Sequence, residues 1–221
     1  MKKKIAVMAL TFMLMPFFFI QGQTSDLGNW LIYFGNKKLN DSWNIHNEVQ
    51  YRNYDAVGDL EQLLLRTGLG YSFNNNKSNV LLGYGYILSK NYINDTDKNS
   101  VNEHRIFQQF ISKQEVGIVK LNHRYRFEQR FVESDFRLRF RYFLGINVPL
   151  QNKESGKNPL YLSAYNEIFL NTKSSVFDRN RLYGGFGLKL SEAVKIELGY
   201  MNQFFETSGR DQINIITFVN F

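Results

Sequence analysis

The chain has 221 residues, with 27 Lys+Arg against 20 Asp+Glu, 16% aromatic residues, three prolines and no cysteine. That length suits one domain with a full core. The missing cysteine excludes a disulfide framework, a thiolate metal site and a lipoprotein anchor cysteine. Rare proline suits long, uninterrupted strands.

The chain opens with "MKKK", then the apolar run "IAVMALTFMLMPFFFI", then "QGQ" with a small Gly22. A positive head, a short apolar stretch and a small residue are the parts of a secretory signal peptide, and the stretch is short for a membrane helix. Residues 1–22 are therefore expected to be a cleaved leader and 23–221 a single barrel domain. The leader holds three lysines and no acid, so removing it leaves 24 basic and 20 acidic residues, a net of +4. Export and this modest charge argue against a nucleic-acid partner.

From residue 28 onward, alternating runs are separated by polar turns. The expected strands are 28–36, 42–53, 60–73, 79–90, 101–113, 116–132, 135–150, 159–170, 180–191, 193–205 and 211–221. The breaks "FNNNKS", "NDTDKNS", "QNKESGKNP" and "TSGRD" are rich in turn formers. Breaks near 36–41, 74–78, 113–116 and 191–193 are short, and those near 53–60, 89–100, 171–180 and 205–211 are mostly longer, an alternation typical of outer-membrane barrels. The short break at 133–134 and the long one at 151–158 depart from it. The pattern predicts an all-β, antiparallel, up-and-down transmembrane β-barrel of about 10–12 strands. Counting gives eleven, whereas bacterial single-chain barrels are normally even. Either 28–36 is then not a full crossing, or one strand near 23–29 completes twelve.

Side-chain parity assigns the faces, since alternate residues of a strand point to opposite sides. In 137–141, three arginines alternate with Leu138 and Phe140. An arginine facing lipid at the bilayer midplane costs about 2–4 kcal/mol, so three in one strand would cost roughly as much as the ~5–15 kcal/mol stability of a whole domain. The charged face must therefore line the lumen. The predicted lumen charge cluster is Glu48, Arg52, Arg66, Glu103, Arg105, Arg124, Arg126, Glu128, Arg130, Arg137, Arg139, Arg141, Glu167, Arg181 and Glu197, with Lys189 and Lys195 beside them. Much of this charge is expected to pair, because a buried unpaired charge is expensive, and the excess of base makes the lumen electropositive. A soluble sandwich or lipocalin-like barrel is the competing fold. Its strands are usually about 5–6 residues, shorter than several runs here.

Several motifs also form an ordered pattern. Trp30 and Trp43 precede Glu48-x-x-x-Arg52; "LGYGY" (82–86) is followed by "EHRIFQQF" (103–110), "RYRFEQR" (124–130), "RLRFRY" (137–142), "NEIFLN" (166–171), "DRNR" (178–181), "ELGY" (197–200) and terminal Phe221. Together they resemble the Bacteroidota outer-membrane-barrel proteins catalogued as domain of unknown function 2490. The resemblance implies an outer-membrane location and a barrel fold, and no established activity. Phe221 with its alternating apolar neighbours resembles the assembly signal read by barrel-assembly machinery. That machinery and outer-membrane lipid are thus the expected partners.

Catalytic signals are sparse. Of His46, His104 and His123, only His46 is expected to face inward, near Glu48 and Arg52. No nucleophile-elbow motif supplies a serine partner. "NDTDKN" (94–99) lacks the glycine and distal glutamate of a calcium loop, and "LGYGYILS" lacks phosphate-loop spacing. Gly83 and Gly85 are expected to thin the inner wall where arginines cross. No cofactor or metal is implied. Two roles follow: a structural barrel or narrow anion-preferring passive channel, or alternatively an envelope enzyme or binding barrel acting on lipid or glycan.

Overall fold

A computed structural model describes residues 27–56, 58–150, 159–173 and 175–221. The expected leader, residues 1–22, lies outside the described residues, as does the long break at 151–158. Eleven strands follow one another: β1 (Gly28–Lys38), β2 (Trp43–Asn53), β3 (Leu60–Phe73), β4 (Ser78–Tyr92), β5 (Lys98–Val116), β6 (Val119–Val132), β7 (Asp135–Pro149), β8 (Leu160–Asn171), β9 (Phe177–Lys189), β10 (Val194–Phe204) and β11 (Gly209–Asn220). They close into one barrel in which each strand pairs with its neighbours in sequence.

The eleven strands of the described residues match the count from sequence and fall within the expected 10–12, and neither route to an even number holds. In an up-and-down path of eleven strands the first and last run in the same direction. Here β1 and β11 close the barrel with a parallel ladder, from Gly28 opposite Gln212 to Asn36 opposite Asn220. Every other seam is antiparallel. The 28–36 run is thus a full stave, and its N–H and C=O groups are satisfied on both sides.

Turn chemistry sets the connections. Asn74, Asn75 and Asn76 take φ of 55°, 53° and 61° between β3 and β4, a left-handed conformation that asparagine tolerates better than most residues. Gly117 takes φ 62° at the first central position of the two-residue β5–β6 turn. The short turns 39–42, 74–77, 117–118 and 190–193 share one end of the barrel with the C-terminus. The connections 54–59, 93–97, 133–134, 172–176 and 205–208 share the other. Glu133, at φ 49°, makes the 133–134 connection a tight turn at the loop end.

The faces follow the expected parity, and the result is an inside-out protein. Leu82, Leu198, Phe186 and Phe140 are exposed on the outer wall, Phe186 at 65%. Arg105, Arg126, Glu128 and Glu167 are buried within, Glu128 at 0% exposure. Aromatic pairs cross the outer seams: Trp43 against Tyr71 at 5.1 Å, Tyr125 against Tyr142 at 5.0 Å and Phe127 against Phe140 at 4.6 Å between ring centroids. Cross-strand pairs of this kind contribute roughly 0.2–1 kcal/mol each. One apolar cluster does enter the lumen, at the β1 seam: Trp30, Ile32, Tyr183, Met201 and Ile216, flanked by Phe34, Tyr165 and Phe218.

Glycines make room on the inner wall. Phe107 lies across Gly83, the stem of Arg66 rests on Gly85, Tyr183 covers Gly185 and Gly199, and Tyr161 covers Gly187. An arginine crosses directly at Gly85. At Gly83 the crossing group is a phenyl ring, and Arg126 lies 4.5 Å above it.

Candidate functional site in the lumen

Period-two strands place every arginine of "RYRFEQR" and "RLRFRY" on one wall, and the β6–β7 register sets Arg126 opposite Arg141, Glu128 opposite Arg139 and Arg130 opposite Arg137. Like charges directly opposite repel, so the lumen must supply acceptors, and Glu128 supplies them at the centre. It accepts from Arg139 Nη2 at 2.7 Å and Nε at 2.9 Å and from Arg141 Nη1 at 2.7 Å, with Arg126 Nη1 at 3.7 Å. Arg141 reaches on to Glu167, which also takes Arg124 Nη2 at 2.7 Å and stands 3.8 Å from Arg181 Nη1. Glu48 pairs with Arg66 and accepts from Gln50.

Towards the loop end, Glu103 accepts two bonds each from Arg105 and Arg130, those from Arg130 at 2.6 and 2.9 Å. Arg52 is held by amide oxygens, Gln50 Oε1 and Gln62 Oε1. Its guanidinium lies 3.7 Å from the Trp30 ring centroid, and Arg181 lies 4.7 Å from the same ring. Arg139, Arg141, Arg179 and Arg181 all approach the Phe169 ring within 6 Å. Two buried rings thus offer their negative faces to a crowd of cations.

Two predicted members stand apart. Arg137 shares the inward face but sits at the rim, about half exposed, paired with Asp135 at 2.7 Å. Glu197 is buried among hydroxyls, accepting from Tyr161 at 2.8 Å and Tyr183 at 3.5 Å. The other thirteen lie within the buried network or on its border.

Sequence reasoning missed Asp178 and Arg179, which join through a 3.0 Å bond from Arg139 Nη1. The amide ligands Gln50, Gln62, Gln109 and Gln203 also lie outside the predicted charge cluster, although Gln50 has the inward parity of Glu48 and Arg52, and Gln203 that of Glu197. Arg179 has the parity of Arg181 and was legible once the strand began three residues earlier. Trp30 carried no parity signal, because "NWLIYF" is apolar on both faces.

The lumen is filled unequally. At the short-turn end it opens as a cavity of about 470 Å³. Asn40, Asp41 and Ser42 stand at its mouth, and Arg66, Arg124, Arg126, Arg141, Glu167 and Arg181 form its floor. Among the lining residues, Lys38, Arg66, Lys113, Arg124, Arg126, Arg141, Arg181 and Lys195 face Asp41, Glu48, Glu167 and Glu197, an excess of four positive charges. His46 also lines it, with Nε2 3.6 Å from Glu48 Oε2 and its ring 6.1 Å from that of Phe34. At the seam, Phe221 extends the parallel ladder: its N–H donates to Asn36 O at 2.9 Å, and its carbonyl accepts from Lys38 at 3.2 Å.

A family model described as "Protein of unknown function (DUF2490)" matches residues 27–214, nearly the whole barrel. The chain belongs to this family. An uncharacterized protein of Methylorubrum extorquens is 31% identical to this DUF2490 barrel over 169 residues, covering 72% of the chain and 71% of the relative. No solved structure matches. The match establishes the family rather than a bacterial phylum, and no name among these proteins carries an activity.

Proposed function

We propose that this DUF2490 barrel is an outer-membrane protein whose lumen is closed at the loop end by its own arginine–glutamate network and open at the other as a small, anion-attracting vestibule. It serves as a structural barrel with a narrow anion-preferring path at most. Two observations support the membrane: the exposed Leu, Phe and Tyr of the outer wall, and the leader pattern of residues 1–22. An apolar band around a closed barrel with charge inside is what lipid demands. Short turns face the periplasm in such barrels, so the vestibule opens on that side. Assembly through Phe221 by barrel-assembly machinery belongs to the same reading.

The observation that carries the reading is the vestibule's floor. The cavity of about 470 Å³ is floored by Arg126 and Glu167, both buried, and Glu103, Glu128 and Arg139 towards the loop end are buried as well. Planar-bilayer recording tests it. The wild type should show no steady wide pore, and any residual current should prefer anions. A wide ohmic pore or a cation preference would contradict the proposal.

A further inference from the structure

We infer that the floor of the vestibule is a binding site for the phosphate group of a small water-soluble molecule, held by Arg66, Arg124 and Arg126. The inference rests on the cavity being an aqueous vestibule.

The floor's hydrogen bonds are incompletely used. Arg66 Nε, Arg124 Nε and Arg126 Nη1 are buried N–H groups without a hydrogen-bond partner, and all three residues line the same cavity. Arg66 spends its Nη1 on Glu48, Arg124 its Nη2 on Glu167, and Arg126 its Nε and Nη2 on Gln109 Oε1. Each guanidinium is thus fixed by one partner with a buried N–H still lacking a hydrogen bond, Arg126 Nη1 lying 3.7 Å from Glu128 Oε1. Side-chain exposures of 3%, 18% and 2% make it costly to leave such donors unmatched. Fixed forked donors in a water-poor pocket suit a tetrahedral oxyanion, because arginine binds phosphate through charge-assisted bonds.

The acceptor side narrows the ligand. Glu48 Oε2 is also buried without a hydrogen-bond partner, with His46 Nε2 3.6 Å away. An ionised carboxylate only accepts, so a ligand filling this floor must bring acceptors for three N–H groups and one donor for Glu48. A monoprotonated phosphate or phosphomonoester carries both. Sulfate carries no proton at neutral pH and would set its oxygen against the carboxylate. The volume lies within the usual ~300–1,000 Å³ range of small-molecule sites, and Phe34, Phe143 and Phe218 give the remainder of the molecule an apolar wall. Since the mouth is at the barrel end, the phosphate belongs to a soluble molecule rather than a bilayer lipid.

The test is isothermal titration of the refolded full barrel in detergent with sodium phosphate at constant ionic strength. Sodium sulfate and sodium chloride serve as references, and ³¹P line broadening as a second readout. Phosphate should bind saturably and at least tenfold tighter than sulfate. Arg126→Gln and Arg124→Gln should each weaken phosphate tenfold or more, and Glu48→Gln should abolish the preference over sulfate. Arg130→Gln, outside the cavity on Glu103, should bind like the wild type. Arg124 is partly exposed, so its variant keeps the test open if Arg126→Gln does not fold. Absence of saturable binding and broadening in the wild type, or unchanged affinity in both Arg124 and Arg126 variants, would overturn the site. Competition by phosphatidic acid in the micelle would overturn the soluble source. A wide pore with intact phosphate binding would refute the closed-lumen proposal and leave the site standing; a closed barrel without phosphate binding would do the reverse.

Discussion

Removing the charge of Glu128 should cost more than any other single carboxylate change. Its side chain is 0% exposed and gathers Arg139, Arg141 and Arg126. Glu128→Gln keeps the shape but leaves three buried guanidinium groups facing a neutral amide. Breaking a buried ion pair by neutralising one partner costs about 3–5 kcal/mol, a large share of the ~5–15 kcal/mol of an ordinary domain. The contrast is Asp135→Asn, whose pair with Arg137 is exposed at the rim and should contribute under about 1 kcal/mol. Urea unfolding of the barrel in small vesicles measures both, followed by the fluorescence of buried Trp30 and outward Trp43 and by heat-modifiable gel migration. A Glu128→Gln barrel within about 1 kcal/mol of wild type would refute the claim that Glu128 neutralises the centre of the lumen.

Further outcomes follow from other contacts. Gly187→Ala places a methyl group where the Tyr161 ring crosses the wall. Overpacking of that kind costs typically about 1–3 kcal/mol, and the displaced Tyr161 hydroxyl should lose its bond to Glu197, visible as altered tyrosine ultraviolet absorbance; unchanged stability and absorbance would contradict the packing. Outside the strands, the hydrogen bond from Lys98, joined by one from the Tyr92 hydroxyl, holds the Asp59 carboxyl below its ordinary value of 3.8. A depressed carboxylate stabilises above its unfolded pKa and loses that contribution as pH falls through the folded one. Protection of the Tyr54 amide, which donates to Asp59 O at 2.7 Å, should therefore persist at pH 5 and fall only below about pH 4. Loss of protection between pH 5 and 6 would rule out Asp59 as the latch.

Much of the barrel was legible because its physics is local. Expected strand 60–73 coincides with β3, and 135–150 overruns β7 by one residue. In both, alternation persists to the strand ends. The expected 101–113 falls short of β5, which spans Lys98–Val116, since five of the six extra residues are polar and break the alternation. The expected 180–191 misses the first residues of β9, which pair with β8 beside a bulge at Phe169–Leu170. The inward charges were legible from the cost of facing lipid. Pairing across an intervening stave was not, because Glu167 on β8 meets Arg124 on β6, and Asp178 on β9 meets Arg139 on β7, only once shear and closure set their relative heights. The filling of the lumen was partly hidden: Trp30 enters from "NWLIYF", apolar on both faces, whereas Phe169 shares the inward parity of Glu167, two residues before it.

The central claim is that charge faces inward and the apolar wall faces lipid. The chain has no cysteine, so single cysteines bearing a bimane label report each face without background. Phe140→Cys and Leu198→Cys lie on the outer wall, and Ser163→Cys and Asn147→Cys on the vestibule wall. In reconstituted vesicles, nitroxide-labelled lipid should quench the first pair strongly and the second weakly, and aqueous iodide should do the opposite. Strong iodide quenching at positions 140 and 198, with none from lipid, would contradict the account.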